Sequence, residues 1–245
     1  MKIIHVAIDV MIEAKRNSFF WLSLFLACLL ILLFAVLSGT NVDYHYENFL
    51  HAGLTTIWSI HILLALLLTT ETIYGEDERK SVYFYLSRDL SRLDYLAGKF
   101  IGCFLSLLIS LSISSLIMIL ASASLIGFEG RILGALMFMV LELGFTTVLV
   151  IFLSRLVSKL INYLVFGILF ILSNFVEFLI LKSTNYIGFL LLSLPSYKYY
   201  SFYDIMIRNY SDLSWLYLFV LAIFTLSICF ALINFAALRY EHQTL

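Results

Sequence analysis

Six stretches of this chain, residues 19–38, 54–74, 96–122, 132–153, 163–181 and 215–238, each run for about twenty residues or more with at most one charged side chain. A helix needs about 20 apolar residues to cross the hydrocarbon core of a bilayer. Inside lipid every backbone N–H and C=O must be satisfied within the protein, which leaves helices and closed barrels. Barrel strands are short and alternate apolar with polar, whereas these blocks are continuous. The predicted fold class is therefore an all-α membrane protein with six transmembrane helices. Composition points the same way: 62% of residues are hydrophobic and 13% charged, against about 25% charged in soluble domains. That balance excludes an ordinary soluble enzyme and a disordered chain. A net charge of −1 offers nothing to attract nucleic acid. The first block is too long, and its leader too acidic at Asp9 and Glu13, for a cleavable signal peptide.

Orientation follows from lysine and arginine, which stay on the cytoplasmic side. With six spans, eleven of these residues fall on the side of the two termini, among them Lys2, Arg79, Lys99, Lys159 and Arg239, and four on the other, Arg131, Lys182, Lys198 and Arg208. Both termini are expected in the cytoplasm, with outer loops at about 39–53, 123–131 and 182–214. Cys28, Cys103 and Cys229 lie inside spans and read as small apolar side chains, not as a disulfide or metal framework.

Residues 1–18 read as an amphipathic helix in the membrane interface. At about 100° per residue, Lys2, His5, Asp9, Glu13 and Arg16 share one stripe, with Ile3, Val6, Ala7, Val10, Met11 and Ala14 opposite. The remainder, 19–245, forms one transmembrane domain. Its most informative loop is 76–95. Glu76, Asp77 and Glu78 suit the first turn of a helix. Val82, Tyr83, Tyr85 and Leu86 offer an aromatic–aliphatic surface of the kind that makes contacts, and Ser91 with Asp94 resembles a capping box. In the third span Gly98, Gly102, Ser106, Ser110 and Ser114 form a four-residue ladder of small side chains, a helix-packing seam or the lining of a path. Glu142, near the middle of the fourth span, is an ionisable group at costly depth. It either contacts a polar substrate or a proton, or hydrogen-bonds to a neighbouring helix. Glu177 and His61 are weaker candidates, and Glu71 reads as the start of the cytoplasmic acidic cluster. Tyr186–Leu194, Pro195 and the tyrosines after it read as outer re-entrant or interfacial helices before the last span.

No phosphate loop, H-E-x-x-H, C-x-x-C or G-x-S-x-G occurs. Uphill movement would need energy from another chain or an ion gradient.

At 76–100 the chain resembles the membrane subunits of ABC-2 type exporters. Their segment between spans two and three commonly reads E-x-E-x-x-x-G-T-x-x-x-L-L-S-x-P-x-S-R-x-x-x-x-x-G-K. Here Glu76-Asp77-Glu78 stands at its acidic part, with Arg79 and Val82 following. Leu86-Ser87-Arg88-Asp89-Leu90-Ser91-Arg92 stands in the middle, and Gly98-Lys99 at the end. Lys80-Ser81 replaces the Gly-Thr pair and Asp89 the proline. The likeness is closest to the short permeases of nitrous-oxide-reductase maturation or gliding systems. It implies a non-enzymatic permease, two copies or paralogues carried on two cytoplasmic ATPase subunits. ATP and Mg would be bound by those partners and no cofactor by this chain. Residues 76–95 would serve as the coupling helix. The competing classes are an ion-coupled secondary transporter with Glu142 as its proton site, and a membrane insertase.

Overall fold

The computed structural model describes residues 2–40, 46–78, 90–125, 130–168 and 215–242. Among them are seven helices and no strand: α1 Lys2–Arg16, α2 Ser18–Thr40, α3 Tyr46–Glu78, α4 Arg92–Leu125, α5 Gly130–Ser154, α6 Lys159–Ile168 and α7 Trp215–His242. Five of these, α2, α3, α4, α5 and α7, are long and apolar enough to cross a membrane. Among the described residues the regular structure is all helical, and its long apolar helices are those of a multi-pass membrane protein. The short apolar α6 covers only the beginning of the expected span 163–181; the rest of that span and the segment 182–214 lie outside the described residues.

Two helix ends follow local chemistry. Asn17 alone separates α1 from α2, and its side-chain oxygen accepts the Phe19 amide at 2.9 Å, as an N-cap does. The Trp21 indole reaches back to donate to the Lys15 carbonyl at 2.7 Å. Ser91 caps α4 as its spacing from Asp94 predicts, accepting the Asp94 amide on its hydroxyl at 3.0 Å.

The acidic trio departs from expectation. Glu76, Asp77 and Glu78 close α3 instead of opening a new helix. A helix C-terminus disfavours anions, but α4 supplies Lys99 directly against the Glu76 carboxylate, and that cation outweighs the dipole.

The bundle buries α3 and α5 most deeply. Ile57, Leu64, Leu68, Leu107, Leu111, Met139 and Leu143 belong to the main apolar core, shared by α3, α4 and α5. α2 and α7 are peripheral: Phe25, Leu29, Leu33 and Val36 on one, and Phe224, Leu226, Phe230 and Phe235 on the other, are exposed. Apolar surface this extensive suits lipid as the solvent.

α1 packs chiefly along α4. A Cβ on Gly98 would lie 2.7 Å from Val6 Cβ, and one on Gly102 would lie 2.7 Å from the Ala7 carbonyl oxygen. These two glycines therefore let α1 sit directly on the α4 backbone. Of the apolar face expected to meet the membrane, Val6, Ala7, Val10 and Ala14 are instead buried in the protein, Val6 and Val10 against these two glycines. Ile4, Ile8 and Ile12 stay exposed on another side of the helix.

Candidate functional site

The end of α3 and the start of α4 meet in one buried joint. The Tyr95 hydroxyl donates to Glu76 Oε2 at 2.5 Å, and the Lys99 ammonium pairs with Glu76 Oε1. Tyr95 is fully buried and Lys99 is 1% exposed. A lysine denied water in this way needs a carboxylate against it, so the pair joins the end of α3 to the start of α4. Around it Val6, Ile73, Tyr95, Leu96, Ile151 and Ala236 form a second apolar cluster. Five helices, α1, α3, α4, α5 and α7, converge there.

The end of α3 is tied on its other side to the turn between α5 and α6. Tyr74 donates its hydroxyl to the Val157 carbonyl at 2.5 Å. Glu71 pairs with Lys159 at 2.9 Å, and the Tyr163 hydroxyl reaches the same carboxylate at 3.4 Å. The Asn162 amide donates to the Val150 carbonyl at 3.4 Å, bracing α6 on α5. A displacement of the last turn of α3 would therefore reach both α4 and the α5–α6 turn.

Deeper in the bundle two further polar contacts cross between helices. The Trp58 indole of α3 donates to Glu142 Oε2 of α5 at 2.7 Å. His61 of α3 donates from Nδ1 to the Ile57 carbonyl at 2.7 Å, and its Nε2 lies 3.1 Å from the Ser110 hydroxyl of α4. With the proton placed on Nδ1 by that carbonyl, Nε2 accepts from Ser110. Ser106 and Ser114 spend their hydroxyls inside α4, on the Gly102 and Ser110 carbonyls, the usual self-satisfaction of small polar residues in apolar surroundings.

The ladder of small residues thus divides. Gly98 and Gly102 face α1, Ser110 faces His61 of α3, and Ser106 and Ser114 are buried. Of the predicted coupling residues, Glu76 stands in the joint and Arg92 begins α4. Asp77 and Glu78 end α3. Arg79, Val82, Tyr83, Tyr85, Leu86 and Arg88 lie outside the described residues, as does Glu177. Tyr95 and Lys99 are not among the predicted coupling residues, although Lys99 ends the motif-like stretch and a lone lysine inside an apolar block is itself a signal. Nothing in the sequence marked Trp58 as the partner of Glu142. Among the described residues no three His, Cys, Asp or Glu side chains gather where they could hold a metal ion. Neither a family model nor a curated protein matches the sequence.

Proposed function

We propose that this chain is the permease subunit of an ABC-2 type transporter, an exporter in the inner (plasma) membrane with both termini cytoplasmic. In this reading two such subunits, or this one and a paralogue, are driven by two ATPase subunits that bind ATP and Mg. The observation that carries the reading is the buried joint of Glu76, Tyr95 and Lys99. The residues that resemble the start and the end of the family's coupling motif meet there, although 23 positions separate Glu76 from Lys99. A connector anchored this firmly at both ends passes a push to α3 and α4 together. The Tyr74 and Glu71 contacts carry it on to the α5–α6 turn. A loose connector would absorb the same push in its own bending.

The test is purification of the tagged chain from native membranes with its bound ATPase. Tyr85→Ala or Glu78→Lys should weaken that association by about tenfold or more, since a buried interface aromatic contributes about 2 kcal/mol. Alternatively, either change should separate hydrolysis from transport. Membrane insertion should be normal, because no span is altered. Retention of full association and coupling in both variants would remove the basis of the proposal.

A further inference from the structure

The contact between Trp58 and Glu142 has no part in the coupling path. Glu142 sits well inside the apolar stretch Ile132–Ser154, with about 15 Å of helix on either side. It is fully buried. Its two oxygens are used unequally. Oε2 accepts the Trp58 indole N–H, while Oε1 is buried with no hydrogen-bond partner among the described residues. Thr146 Oγ1, one turn along the same helix, is buried without a partner as well. No cationic side chain among the described residues faces Glu142.

A carboxylate would leave a full charge at a depth where charge is costly, with a single hydrogen bond among the described residues to offset it. Protonation on Oε1 removes that charge and leaves Oε2 free to accept from the indole. A metal ion would need several ligands, and among the described residues no group of His, Cys, Asp or Glu gathers here to supply them. A proton needs one oxygen. We propose that Glu142 is a proton-binding site inside the membrane, with Trp58 holding Oε2 and the proton carried on Oε1. Uptake forms one O–H bond with a proton supplied by water, release breaks it, and no electron moves. Because α3 and α5 meet at this hydrogen bond, the proton and the packing of the two helices share one equilibrium.

Among the described residues, the other titratable side chains buried in the apolar stretches of α3, α4 and α7, besides Glu76, Tyr95 and Lys99, are His61, Cys103 and Cys229. Glu76, Tyr95 and Lys99 close one end of the bundle, and Glu71, Lys159 and Tyr163 lie where α6 meets α3. His61 is the rival to test, because it stands one turn from Trp58 along α3.

Of the three tryptophans, replacing Trp21 and Trp215 by Phe leaves Trp58 as the sole reporter. In lipid nanodiscs, the Trp58 emission of that variant should shift with pH along a single-proton curve. The shift should survive His61→Gln and vanish in Glu142→Gln. Infrared difference spectra across the same titration should contain a carboxylic-acid C=O band that Glu142→Gln removes. If Glu142→Gln does not assemble, Glu142→Asp must move that band. A flat emission, a shift lost with His61 and kept without Glu142, or a band unmoved in the Asp variant would each overturn the assignment. The titration needs neither an ATPase nor a substrate, so it stands or falls separately from the coupling experiment.

Discussion

Lys99 is the residue whose role is least visible from its neighbours in the chain. It interrupts an apolar block, which sequence reading places near the end of a span, where a lysine would ordinarily extend to water. It is instead almost completely buried against Glu76 and Tyr95. Breaking such a pair leaves an uncompensated charge inside the protein, at a cost of about 3–5 kcal/mol. Glu76→Gln should therefore lower the thermal unfolding midpoint of the purified protein strongly. The double variant Glu76→Gln with Lys99→Met removes both charges and should recover most of that loss. If single and double variants melt alike, Lys99 has another route to solvent and the joint is not held by charge. Glu142 differs in kind: its depth was legible from the sequence, but which oxygen is served, and by which helix, required the position of Trp58.

Among the elements, α1 shows most clearly where a helical wheel stops being informative. Its polar stripe was legible, and the stripe exposes His5, Asp9 and Arg16. Four residues of the side read as membrane-facing, Val6, Ala7, Val10 and Ala14, are buried in the protein, while Ile4, Ile8 and Ile12, outside that side, are exposed. Hydrophobicity alone does not distinguish a protein neighbour from lipid. The glycines do: Gly98 and Gly102 exist as bare backbone because α1 occupies the space a side chain would take. Gly102→Ala would press its Cβ to 2.6 Å from Val10 Cβ and 2.7 Å from a backbone oxygen. Overpacking of this kind costs about 1–3 kcal/mol, and the melting midpoint should fall accordingly. Gly75→Ala is the internal comparison. Nothing lies within 4 Å of a Cβ added there, and alanine is the better helix former by about 1 kcal/mol. That variant should melt at or above the parent temperature. A Gly102→Ala protein as stable as the parent would mean that α1 can move off α4 freely.

At the scale of the whole molecule the remaining prediction concerns sidedness. In a background lacking Cys28, Cys103 and Cys229, cysteines placed at Ser81 and at Ser201 should be labelled by an impermeant reagent from opposite faces of the membrane. The expectation rests on the distribution of lysine and arginine, and labelling of both from one face would refute the six-span arrangement. Apolar run length by itself determined that the chain is helical and crosses a membrane several times, because in lipid the backbone has no other way to satisfy its hydrogen bonds. It also located the bodies of the five long apolar helices, each overlapping an expected span with ends that differ by up to seven residues. Run length did not determine how far those helices continue. α3 extends through its acidic end to Glu78, because Lys99 of another helix stabilises it there. Nor did run length determine which small residues face which helix, or that Glu76, Tyr95 and Lys99 form one joint. Those are choices among partners distant in the chain. They are decided by which side chains come within hydrogen-bond reach once the helices have packed, and only the tertiary structure holds that information.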